Sequence, residues 1–359
     1  MSAGASVSTL RVVAATVVLA ASALRAAAQS TPLPVESIDL YGSDVLDWAE
    51  LRADLEPDVL RYVAALEDTR SPNADFTKIE ATLRGVHDRV TGLLNARVPL
   101  AYVEISVVTN SPPPRINVTI DIVEKVDEAR RVPFRAVPTR QLGDPGGLLA
   151  DWKELTGKYS ERIRDGTATQ VKAADCPVLH CMVPFTEPEF APYLERFNAG
   201  AREHEESLYT IATESGNDGD RANALLVLAH TNDAERLLPV LGRAIYDPSS
   251  GVRNNAMRVL IYMAQTDLSR DYPLDALLAA FDFPAQTDRN KAGVVLVELA
   301  KSSGYRDRIR AEAVPVALKL LHLQQPTNHD PAYELLKELS GETYGDRDYD
   351  AWERWAAVR

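Results

Sequence analysis

The chain has 359 residues, with 39 Lys and Arg against 52 Asp and Glu for a net charge of −13; 45% of the residues are apolar and 25% charged. The length exceeds one ordinary domain, and the composition excludes a disordered chain, a collagen-like fibre and a disulfide-dense mini-protein. The acidic balance argues against nucleic acid as a partner, because neutralising phosphates takes basic patches.

Residues Met1 to Ser30 form a separate object. Arg11 precedes a run of apolar or small residues from Val12 to Leu24, and Ala26-Ala-Ala28 supplies an A-x-A cut before Gln29. A short charged start, a short apolar core and small residues at the cut define a secretory signal peptide over residues 1–28. The rival reading is an uncleaved anchor, although the core falls short of the roughly 20 apolar residues of a membrane span. Losing the leader removes Arg11 and Arg25 and takes the net charge to −15. The Ala-rich leader points to a periplasmic or secreted bacterial protein with no integral membrane segment after cleavage.

Residues 35–130 read as a small α+β domain. Val35 to Tyr41 alternates like a strand and stops at Gly42. Helical stretches follow at Trp48 to Leu66 and Phe76 to Leu94, then a β-rich run from Leu100 to Val108 and an alternating strand from Arg115 to Val123. On the last strand Ile116, Val118, Ile120 and Ile122 share one face. The order β-α-α-β-β, with Ile38-Asp-Leu-Tyr-Gly42 at its start and Val118-Thr-Ile-Asp-Ile-Val-Glu124 at its end, resembles a POTRA domain. That resemblance implies a periplasmic module which adds partner strands to its sheet edge.

Residues 131–186 read as a linker with one helix, Leu148 to Arg164, and a cysteine loop. Leu142-Gly-Asp-Pro-Gly-Gly147 is no phosphate loop, since no Lys-Ser or Lys-Thr follows it. In an oxidising compartment Cys176 and Cys181 are expected to form a disulfide closing a small loop. The alternative is a metal site using Cys176, His180 and Cys181, at a spacing that zinc ribbons do not use.

Residues 187–359 repeat. Four segments align on Ala224, Ala256, Ala292 and Ala332, each followed by apolar residues three and four positions on: Val227 and Leu228, Val259 and Leu260, Val295 and Leu296, Leu335 and Leu336. This is the buried stripe of an amphipathic helix, and the alanine permits close approach of a neighbour. An amphipathic run precedes three of them, at Glu235 to Tyr246, Pro273 to Phe281 and Arg308 to Leu323, so the unit is helix, short turn, helix.

This pattern resembles the HEAT repeat in its PBS-lyase-like variety, most closely at Asp247-Pro-Ser-Ser-Gly-Val-Arg-Asn-Asn-Ala-Met-Arg-Val-Leu260. The resemblance implies an α-helical solenoid of helix pairs. It also implies a ladder in which Arg221, Arg253 and Arg289 meet acids near Asp220, Asp247 and Asp288, ending where His329 replaces Arg. The closing segment carries Trp352 and Trp355, expected to pack back on the last pair.

No residue pattern points to catalysis, a cofactor or a metal. His204-Glu-Glu-Ser-Leu208 lacks the second histidine of a zinc-protease helix. Asp346, Asp348 and Asp350 have calcium-loop spacing, but Ala351 and Ala357 stand where a standard loop needs Gly and Glu. The expectation is therefore an exported, non-enzymatic protein that binds a protein partner through an extended helical face, with Asn254, Arg258, Tyr262 and Lys291 at candidate contact positions. The alternatives are an envelope-assembly accessory acting through the sheet edge, and a periplasmic enzyme or calcium-dependent factor. The acidity is concentrated: residues 36–68 hold ten acids and two bases, and residues 187–220 nine acids and two bases. Solubility explains such stretches, and attraction of a basic partner or divalent cations is the sharper reading.

Overall fold

A computed structural model describes residues 33–71, 73–110 and 113–358, so the leader lies outside the described residues. Among them the chain is mostly helical, with one three-stranded sheet near the N-terminus. No described helix is long and apolar enough to cross a membrane.

The first strand, β1 (Val35–Tyr41), leads into α1 (Trp48–Asp68) and α2 (Phe76–Asn95). Asp47 caps α1 by accepting from the amide of Ala49, and Asp75 caps α2 by accepting from that of Lys78. The strands β2 (Leu100–Asn110) and β3 (Arg115–Glu124) then pair antiparallel. β1 lies parallel to β3 on its other side, giving the order β1-β3-β2. Parallel neighbours need a long crossover, and α1 and α2 supply it. Leu51, Leu55, Val59 and Val63 recur every four residues on α1 and pack with Val86 and Val90 of α2 against the isoleucine face of β3.

The opposite face of β3 is buried too, although it is polar: Asn117, Thr119 and Asp121 are each almost wholly covered. The helical body covers it. Arg289 reaches Asp121 at 2.6 Å, and neither side chain is exposed. Arg131 donates to the carbonyls of Ile122 (2.6 Å), Gly42 (3.1 Å) and Asp282 (2.9 Å). Gly42 has φ 96°, and a Cβ there would sit 2.2 Å from the Ile122 carbonyl oxygen, so the turn that brings Arg131 in admits only glycine.

The short α3 (Glu128–Arg131) is followed by α4 (Leu148–Arg164), whose Leu148, Leu149, Trp152 and Leu155 are buried in the core shared with the C-terminal helices. Next come α5 (Ala191–Glu203), α6 (Glu205–Glu214), α7 (Asp218–Leu228), α8 (Ala234–Ala244) and α9 (Ser250–Thr266). The remaining helices are α10 (Leu274–Ala280), α11 (Gln286–Leu299), α12 (Ser303–Leu321), α13 (Pro326–Ser340) and α14 (Tyr349–Ala357). α6 packs on α7, α8 on α9, α10 on α11 and α12 on α13, while α7, α9, α11 and α13 lie side by side in that order. Ala224, Ala256, Ala292 and Ala332 are fully buried within this row. Trp352 is also fully buried; its indole N–H donates to the carbonyl of Gly345 at 2.9 Å, and its ring packs on Tyr333, Tyr344 and Trp355. Asp348 caps α14.

Candidate functional site

The three arginines that open α7, α9 and α11 form buried rungs. Arg221 makes two parallel bonds to Asp247, at 2.9 and 2.7 Å, and Arg253 meets Asp288 at 2.7 Å. Each arginine reaches forward to the next pair, so Asp220, which has no arginine before it, takes no part. Each also folds back on its own turn, donating to the carbonyl six residues earlier: Ser215, Asp247 and Phe283. At the third rung Asn328 stands where an acid is expected; it accepts from Arg289 at 3.1 Å, and the counter-charge comes instead from Asp121 of the sheet. His329 closes the series with its ring against Asp330.

The four candidate contact residues converge. Asn254, Arg258 and Tyr262 recur every four residues on α9 and so share a face. Lys291 comes from the adjacent α11. Together they line a groove of about 650 Å³ whose far wall is α4, with Tyr159 and Ile163, and the cysteine loop, with His180 and Cys181. Cys176 and Cys181 are bonded, with 5.6 Å between their Cα atoms. The Tyr262 hydroxyl donates to the carbonyl of Val171, in the segment leading into the loop, at 3.0 Å, and the rings of Tyr262 and His180 of the loop meet edge-on.

The electrostatics of the groove are one-sided. None of its lining residues is Asp or Glu. Arg258 donates through Nε to Asn254 at 2.7 Å and Lys291 donates to Asn290 at 2.9 Å, and neither meets a carboxylate among the described residues. Burial, with Arg258 nearby, pulls the Lys291 ammonium down to about 8. Burial also lowers the Arg258 guanidinium. His180 is 3% exposed, its Nδ1 has no hydrogen-bond partner, and burial lowers it to about 3, so it is neutral at pH 7. A neutral imidazole can donate one hydrogen bond.

The acidic stretches are partly compensated locally. Asp58 of α1 pairs with Arg61 and Arg89, and Glu205 and Glu206 of α6 share Arg236. No group of three or more His, Cys, Asp or Glu side chains gathers as a metal site among the described residues.

Comparison with family models, curated proteins and solved structures returns no match to the chain. Asp121 is the architectural residue that sequence reasoning missed, and His180 entered it only as a metal ligand beside Cys176 and Cys181, which the disulfide instead joins. Spacing gave no signal for the surroundings of either, since Asp121 meets Arg289 and His180 meets Tyr262 from distant segments.

Proposed function

We propose that the chain is an exported, non-enzymatic binding protein: a HEAT-like α-solenoid of four helix pairs, preceded by a POTRA-like α+β unit, that holds a protein or peptide partner. The side-by-side order of α7, α9, α11 and α13, together with the forward-reaching arginines, supports the solenoid reading. The observation that carries the function is the groove, where four side chains from two neighbouring helices meet a concavity of ligand size. The disulfide supports an oxidising compartment.

A photo-crosslinking residue at Asn254, inside the groove, tests the binding role against one at Glu80, an exposed position of α2. Partner adducts at position 254 alone support it; equal adducts at both positions overturn it. N-terminal sequencing of the exported protein is expected to begin at Gln29.

A second reading is favoured by a separate observation. β1 is an edge strand, and beside it Val35, Ile38, Trp48, Leu60 and Val63 line a groove of about 620 Å³ against α1. An extended segment added to β1 would cover the exposed Leu60 and the half-buried Val35, Ile38 and Trp48, as strand addition does. Adducts at a photo-crosslinker replacing Leu60, with none at Asn254, would favour this role in envelope assembly.

A further inference from the structure

The chain carries a clear excess of acids, yet its groove holds two half-buried cations and no carboxylate. Leaving a charge desolvated and unpaired is costly, and the arginines of the buried rungs avoid that cost by meeting an acid. Arg258 and Lys291 do not. The guanidinium of Arg258 uses only Nε on Asn254, so its terminal nitrogens remain available for the two-pronged contact that suits a planar carboxylate. His180 adds a buried ring nitrogen with no partner. The first turns of α9 and α11 contribute Ser250, Gly251 and Thr287 to the same groove, and neither helix has a side-chain cap. Helix N-termini favour negative charge.

We propose that this groove is a carboxylate-recognition site, in which Arg258 and Lys291 hold an acidic side chain of a peptide partner with His180 as a neutral donor. The proposal rests on the groove being the binding face. A peptide is favoured over inorganic phosphate by the rest of the lining. Gln170, Asn254 and Asn255 offer amides that both donate and accept, matching the alternating donors and acceptors of a peptide backbone, whereas a phosphate dianion presents mostly acceptors and a single hydroxyl donor. Ile163, Val171, Met182 and Ile261 add apolar wall that an inorganic ion leaves unused.

The test uses the full chain and three short tyrosine-containing peptides that differ only in carrying two Glu, two Gln or two Lys. The Glu peptide is expected to bind by calorimetry and the other two at least tenfold more weakly. Arg258→Gln or Lys291→Gln is expected to lower affinity for the Glu peptide by roughly ten- to a hundredfold, the size of losing a charged hydrogen bond. Thermal melts separate binding from folding: Lys291→Met removes a half-buried charge that meets no carboxylate among the described residues and is expected to hold or raise the melting temperature. A fall would identify Lys291 as a structural cation and overturn the proposal. Equal affinity for the Glu and Gln peptides, with adducts still forming at position 254, overturns the charge recognition while leaving the binding face intact. Loss of adducts at position 254 removes the binding face itself. Displacement of the Glu peptide by inorganic phosphate at equal concentration would make the groove a phosphate site and also overturn the proposal.

Discussion

The bond between Arg289 and Asp121 ties the helical body to the sheet, and breaking it has a calculable cost. The pair is fully buried at 2.6 Å. With charge centres about 4 Å apart, an effective dielectric constant of about 20 gives an attraction near 4 kcal/mol. Removal of one partner of such a pair costs about 3–5 kcal/mol, because the other is stranded. Arg289→Met would leave Asp121 with the Ser106 hydroxyl at 2.9 Å, and would free the carbonyls of Phe283 and Pro284. Asp121→Asn would leave Arg289 charged but still bonded to those carbonyls and to Asn328, and is expected to cost less. The double variant is expected to cost less than the two single losses combined, by about 2 kcal/mol or more, since residues in one network couple. Urea unfolding read by far-ultraviolet circular dichroism and by tryptophan fluorescence provides the assay. Trp48 is the one tryptophan of the described sheet unit, while Trp152, Trp352 and Trp355 report the helical body. The two signals are expected to coincide in the native chain and to separate in Arg289→Met. Additive single losses, or a loss under about 1 kcal/mol, would refute the view that this buried pair couples the two parts.

Burial holds the Glu104 carboxyl up to about 7, with the Tyr102 hydroxyl opposing the rise and Asp121 and Asp288 adding to it. The folded chain therefore binds this proton more tightly than the unfolded one. The contribution is complete below about pH 4.5 and is lost as pH rises through about 7, for up to about 3 kcal/mol. Glu104→Gln is expected to remove that slope and to raise stability at pH 8, as read by urea melts across pH. Reducing the Cys176–Cys181 bond, or replacing both residues with Ser, is expected to cost about 2 kcal/mol by loop entropy, since the bonded residues are only five apart; calorimetric melts with and without reductant measure it. Gly293→Ala would place a Cβ 2.9 Å from both Phe281 and Pro331, and is expected to destabilise by about 1–3 kcal/mol despite alanine's helix preference. Gly157→Ala, which meets nothing within 4 Å, is expected to stabilise by about 0.5–1 kcal/mol; the two melts together check whether contact or propensity decides.

Much of the fold was legible because it rests on local rules. The alternation that defines β1 and the apolar spacing over Leu148 to Arg164 depend only on near neighbours, and both elements form at those bounds. The arginines of the rungs were legible through their repetition. Their partners were less so: Asp220 sits one residue before a rung arginine as Asp288 does, yet it lacks a preceding pair to serve. The polar face of β3 could not be assigned from its own residues, since what covers it is Arg289, 168 residues away in sequence from Asp121. In the groove, the spacing of Asn254, Arg258 and Tyr262 predicted a shared face. That the face forms one wall of a cleft depends on the cysteine loop, whose His180 reaches Tyr262 through the tertiary fold.

The cover over the sheet has a consequence in time. A chain is made from its N-terminus onward, so β1, α1, α2, β2 and β3 all exist before any residue that seals their polar face. Asp121 waits for Arg289, and Asp39 waits for the amide of Gln324, which it accepts at 2.8 Å. Until nine-tenths of the chain is present, the sheet carries acids whose partners have not been made. Contacts this distant in sequence form slowly, and in the interval the polar face of the sheet lacks the partners that cover it in the folded chain.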